Sequence, residues 1–374
     1  DAPDFARLKE NAIQDLEKRL LSIDDENLGK ALLTQMLYPA GHPYGHPAVG
    51  TSAGLRSITL EDVRAHSLRV FGKRRLLVGV GGAVSPAVTE AIVAALAPLP
   101  EGAPRVEAVP PAPSFDQTEV VVVQKPSSQS VAISIGLPHD ALRGDPDFPA
   151  LGLVQSYFGE HRQFHGVLMR ELRAKRGLNY GDYAYVEAFE QEGGSRNPRT
   201  NVARRRQHFE LWLRPVARAD LGFALRLAIF ELRRLFEQGL TPAQVASTQQ
   251  FLQGYTRLSE LSAMRRLGHA LDDEFYGTKD WLEQYRSGLA RLDAEEVNRV
   301  LRSRLAAWPL KIAIIAPDGY EAQSELFSTP LAPRQYSSPK PPDVLAVDQE
   351  VLALPLGLDS ESVRMISASE LFAP

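Results

Sequence analysis

Apolar residues recur along this chain with two periods, and the changes of period outline its elements. Phe5, Leu8, Ala12, Leu16 and Leu20 stand three or four apart with charges between them, which predicts a helix over 4–21. A second helix is expected from about 27 to 38. Residues 41–47 contain two prolines and two glycines and read as a loop. Thr59, with Asp62 three residues on, opens a helix to about 71, although a capping box prefers Glu or Gln there. Leu76, Leu77, Val78, Gly79 and Val80 then make a short apolar run expected to be a buried strand. Ser85-Pro86 starts a helix ending near 96.

Between 97 and 115 the prolines crowd (Pro98, Pro100, Pro104, Pro110, Pro111, Pro113), which marks an extended linker and a domain boundary. Beyond it, 119–124 and 130–136 are β-rich runs, read as a hairpin or adjacent strands across Lys125-Pro126-Ser127-Ser128. A helix is expected over 149–158. Leu168 and Leu172 then share a helix face, Arg173, Lys175 and Arg176 place positive charge in the last turn, and Gly177 stops it. Tyr183 and Tyr185 alternate in a strand over 179–186. Residues 190–207 read as a long loop. After them come a strand at 209–213, a helix at 221–237, a helix capped by Thr241 with Gln244, a helix from 294, a strand at 310–315 and a late strand at 362–366.

This pattern repeats. Leu55, Val63 and Leu76 match Leu289, Val297 and Leu310, each pair 234 apart (289 − 55, 297 − 63, 310 − 76). Tyr44-Gly45 matches Tyr276-Gly277 at 232 (276 − 44), and Leu28-Gly29-Lys30-Ala31-Leu32 matches Leu267-Gly268-His269-Ala270-Leu271 at 239 (267 − 28). The fold expected is therefore α+β, with two homologous α/β-sandwich domains, the first lacking its N-terminal part. Residues 1–98 form the C-terminal part of the first domain, 99–116 the linker, 117–330 the second domain and 331–374 an extension with the late strand. The counterparts of both β-rich runs lie outside this chain, on a missing front or on another polypeptide.

Composition narrows the chemistry. A formal net charge of −4 gives no reason to expect nucleic acid or an acidic membrane as partner. No apolar run approaches the roughly eighteen residues of a membrane span. With no cysteine, disulfides, thiolate zinc sites and cysteine nucleophiles are excluded, while the compartment stays open. His161 and His165 have a zinc-like i, i+4 spacing, but Arg162 stands where a zincin needs Glu. His42 and His46 read as turn-packing residues, Gly79-x-Gly81-Gly82 as a turn, and Arg204-Arg205-Arg206 as a solvated run.

The repeated plan resembles the pitrilysin/insulinase family of zinc metallopeptidases. The residues that carry the likeness are His42-Pro43-Tyr44-Gly45 before Leu55, Ile58-Thr59 and Glu61-Asp62-Val63, then Gln124-Lys125-Pro126, Ile135-Gly136, Leu172-Arg173, Gly177-Leu178 and Tyr180. It covers nearly the whole chain. That resemblance implies a His-x-x-Glu-His zinc motif, which occurs nowhere here and would fall in the missing front, and a further Glu mapping near Asp15 or Glu17. It also implies that Arg173 and Tyr180, seven apart, hold the substrate backbone and the developing oxyanion. A zinc-less substrate-binding subunit, paired with a homologous peptidase subunit or with itself and acting on a peptide or unfolded protein, is the function implied. The alternatives are an active zinc endopeptidase whose motif lies on the missing front, and a non-catalytic scaffold. No cofactor is expected in this chain, with zinc supplied by the front or a partner. Bacterial relatives of this kind point to the periplasm or cell envelope.

Overall fold

The computed structural model describes residues 1–38, 41–103, 108–160, 165–189, 200, 202–305 and 309–371. Its helices are α1 Ala2–Gln14, α2 Asp25–Leu37, α3 Ser52–Ser57, α4 Leu60–Val70 and α5 Pro86–Leu96 before the linker. After it come β1 Glu119–Gln124, β2 Val131–His139, α6 Phe148–Phe158, β3 Gly181–Tyr185, β4 Gln207–Val216, α7 Leu221–Gln238, α8 Pro242–Tyr255, α9 Ala263–Tyr276, α10 Trp281–Arg291, α11 Ala294–Arg304, β5 Lys311–Ala316, α12 Gly319–Phe327, α13 Pro342–Ala353 and β6 Val363–Ser367. The α+β expectation holds, as one mixed sheet covered by helices. The helix expected over 4–21 continues past α1 as a wide π-type turn, Asp15–Leu20.

The sheet runs β3-β4-β2-β5-β1-β6. β1 pairs in parallel with β5 and β6, β2 pairs antiparallel with β5 and β4, and β3 pairs antiparallel with β4. The first two strands are therefore not adjacent, contrary to the hairpin reading: β5 enters between them. All six residues of β5 are buried, so it is driven to an interior position where both faces are covered. β6 extends the sheet at the β1 edge, so the chain beyond 330 contributes to the same layer.

One sheet face carries the large core, in which Val120, Val122, Ile312 and Ile314 meet side chains of α6, α7 and α11. On the other face lies α2, whose Leu28, Leu32, Leu33 and Leu37 pack on Val121, Val123, Ala313 and Ile315. The approach is close enough to need glycine. A Cβ on Gly136 would stand 3.0 Å from the Phe209 carbonyl oxygen and 3.1 Å from Leu33. A segment from before the linker thus completes the core of the sheet after it.

The three arginines 204–206 are not a solvated run. Arg206 donates to the Val109 and Pro110 carbonyls, and the guanidinium carbons of Arg204 and Arg205 lie 4.2 Å over the rings of Tyr44 and Phe275. The backbone N–H groups of Arg204 and Arg205 donate to the hydroxyls of Tyr276 and Tyr44. Three cations placed on aromatic faces and carbonyls tie the two halves and the linker together.

Before the linker the picture changes. No residue of α4 or α5 is buried. The run 76–80, predicted as a buried strand, has no ladder partner among the described residues, and Leu76, Leu77, Val78 and Val80 are exposed. Its apolar sequence suits a strand, but a strand is held by neighbours, and these are not within the described residues.

Candidate functional site

Arg173 stands in a wide turn rather than a regular helix end. Met169–Ala174 is π-helical, and Lys175 N–H donates to the Arg170 carbonyl five residues back. Such turns are uncommon and concentrate at functional sites. Gly177 has φ +63° and open space around it, which makes it the left-handed stop expected from the sequence. The chain then passes Tyr180 and enters β3, an outer strand of the sheet.

A buried ionic network holds this turn in place. The Arg176 side chain is fully buried and donates to Asp348 on α13 at 2.7 Å, to the Glu171 carbonyl at 2.9 Å and to the Glu171 carboxylate at 3.2 Å. The second Asp348 oxygen accepts from the Tyr336 hydroxyl at 2.6 Å. Glu171 also accepts from Arg170 and Lys175, both at 2.9 Å. Burial pushes the Glu171 carboxyl up, but these donors outweigh it and leave it below its ordinary value. Every charge taken from water here has a partner, as burial requires.

On that base the two residues singled out by the sequence come together. The Arg173 guanidinium carbon lies 4.6 Å from the centre of the Tyr180 ring, and the tyrosine is 71% exposed. An exposed phenol thus lies beside a half-buried guanidinium, and both groups are of a kind that can donate to a carbonyl or carboxylate. On β3, Asp182 is fully buried, accepts from the Asn179 amide and keeps one carboxylate oxygen without a partner among the described residues. Burial pushes its pKa up to about 8, against the Asn179 bond and the Arg173 charge. Asp182 and the Glu171–Arg176–Asp348 network escaped the sequence reading. Their only sequence signal was polar residues within an apolar stretch, and Asp348 lies 172 positions from Arg176.

The other candidates disperse. Glu17 pairs with Arg56 on the surface, and Asp15 with Arg19. His161 lies outside the described residues, and His165 is exposed. His42 is buried, bonding to the Pro110 carbonyl and accepting from Tyr44 N–H at 3.0 Å each. Among the described residues no three His, Asp or Glu side chains converge to hold a metal, so the zinc of the family resemblance has no set of ligands here and no step is assigned to it. A separate cavity of about 100 Å³ lies between α6, α8 and α10, where the Glu160 carboxyl, raised to about 7 by burial, and the Tyr185 hydroxyl face Trp281 and Tyr285. No described helix is long and apolar enough to cross a membrane.

Residues 57–197 match the family model described as the peptidase M16 inactive domain. A peptidase M16 inactive domain from Pseudomonas fluorescens has the same fold at 23% identity and a TM-score of 0.71, covering 85% of this chain and 71% of that one. A protease from Helicobacter pylori follows at 16% and 0.65, covering 84% and 72%. A chain of Complex III2 from Candida albicans, at 12% and 0.65, covers 85% and 73%. No curated protein matches the sequence. The resemblance to the pitrilysin/insulinase peptidases, the M16 family, is thereby borne out, with a non-catalytic member as the kind matched.

Proposed function

We propose that this pitrilysin-type chain is a zinc-less, substrate-binding subunit that holds an extended peptide at Arg173 and Tyr180. The observation that carries the reading is the pairing itself: an exposed Tyr180 ring 4.6 Å from the Arg173 guanidinium carbon, on a turn braced by buried ion pairs. Preorganised donors are effective because little side-chain order is lost when a carbonyl arrives. The reading is supported by the absence of His-x-x-Glu-His from these 374 residues, so that in this proposal zinc comes from another segment or from a partner. Cofactor and cleavage then belong to that segment or partner, and this chain contributes grip and orientation.

Binding of a fluorescein-labelled casein peptide, followed by anisotropy, tests this reading. Arg173→Ala is expected to weaken binding by about tenfold or more, the scale of a lost hydrogen bond to a charged group. Tyr180→Phe should weaken it less, and unchanged affinity in both variants would sink the proposal. A scaffold role, which the likeness to a Complex III2 chain keeps in view, predicts that unchanged result.

A further inference from the structure

Glu160 and Tyr185 line the cavity between α6, α8 and α10. Glu160 follows the glycine that ends α6, and Tyr185 closes β3 at the end opposite Tyr180. Both side chains are more than nine-tenths buried. Each keeps an oxygen without a hydrogen-bond partner among the described residues, Oε2 of Glu160 and the hydroxyl of Tyr185. The Nδ1 of His269, on the same wall, is equally bare among them. Buried polar atoms left this way cost stability unless something in the adjoining space bonds them. That space is about 100 Å³, walled on its apolar side by Phe148, Leu252, Trp281 and Tyr285. A cavity of about 150 Å³ admits benzene, so this one has room for about four heavy atoms. Gly152 keeps it open toward Tyr285, since a Cβ there would overlap the Tyr285 hydroxyl.

The surrounding charges select the sign of the occupant. The Arg143 guanidinium carbon lies 4.7 Å over the Trp281 ring, but all three of its nitrogens already donate to carboxylates, Nε and Nη2 to Glu187 and Nη1 to Asp272. Arg265 donates to the Leu258 carbonyl. An anion would therefore meet a doubly paired guanidinium with the Glu160 carboxyl beside it. Burial, helped by the Arg143 charge, pushes His269 down to about 4, which leaves it neutral at ordinary pH. Burial also raises Glu160 to about 7, against the Ser156 and Gln155 bonds that favour its ionised form. A carboxyl so poised ionises when a cation arrives next to it.

We propose that this cavity binds a small primary alkylammonium, with its nitrogen held by Glu160 and the Tyr185 hydroxyl and its alkyl part against the aromatic wall. Three N–H donors on one charged nitrogen suit a cluster of bare acceptors, and aromatic rings accommodate both a cation and a short carbon chain. The group can enter as a free amine or as the end of a lysine side chain.

Calorimetric titration with propylammonium, propan-1-ol and acetate, probes of equal heavy-atom count, tests the assignment. Propylammonium is expected to bind with a Kd of about 1 mM or tighter, about tenfold or more below that of propan-1-ol, and acetate is expected not to bind. Glu160→Gln should abolish the preference for the ammonium while leaving propan-1-ol unchanged, and Tyr185→Phe should weaken propylammonium by about threefold. Whichever of propylammonium and Nα-acetyl-lysine amide binds more tightly names the source. Equal affinity for propylammonium and propan-1-ol, a preference that survives Glu160→Gln, or no binding of any probe, as for a cavity holding water only, would each overturn the proposal. Anisotropy of a lysine-free labelled peptide should be the same in Glu160→Gln and wild type, so this site and the Arg173/Tyr180 grip can fail separately.

Discussion

Asp182 is the residue whose chemistry departs furthest from its sequence context. Its carboxyl is fully buried with one oxygen lacking a partner among the described residues, and burial raises its pKa to about 8. The sign of the consequence follows. Unfolded, the group releases its proton near the ordinary carboxylate value, whereas folded it keeps the proton until about pH 8. Its contribution to stability is complete below pH ~4 and is lost as pH rises toward about 8. Urea midpoints should therefore fall more steeply over that window for the wild type than for Asp182→Asn, the difference isolating this carboxyl. Parallel profiles would contradict the assignment. None of this was readable from the sequence, where Asp182 sits between Gly181 and Tyr183 and looks like a polar position on an outer strand. Arg173 and Tyr180 were legible, because their spacing matches a family pattern and the Gly177 stop between them follows from backbone geometry alone.

At the scale of elements, α13 braces the turn that carries Arg173, although it lies in a stretch that reads as a proline-broken extension. Asp348 provides the counter-charge for a guanidinium with no exposed surface. Asp348→Ala is expected to destabilise the protein by about 3 kcal/mol, since it removes one of the two carboxylates paired with the buried Arg176 and the acceptor of the Tyr336 hydroxyl. Thermal or chemical denaturation checks it, and a loss within the range of an exposed ion pair, below about 1 kcal/mol, would show that the network is not holding the turn. Local pattern found most elements to within a few residues, including the Thr59/Asp62 and Thr241/Gln244 capping boxes. It failed where long-range pairing decides. β5 entering between β1 and β2 is a matter of topology that periodicity does not contain. The exposed run 76–80 is the converse: its sequence is that of an interior strand, and only its neighbours could make it one.

At the scale of the whole molecule, the chain is a complete sheet with a helix from the other half laid across it, joined to a stretch whose apolar side chains face outward. The part after the linker presents Arg173 and Tyr180 on a braced turn, and the run 76–80 before it leaves Leu76, Leu77, Val78 and Val80 exposed. The measurement that tests the central claim most directly is hydrogen exchange across residues 177–183 with saturating casein peptide. The account predicts slowed exchange centred on Tyr180 in the wild type and its loss in Arg173→Ala. Peptide binding with no change at 177–183, or the same slowing in the variant, would contradict it.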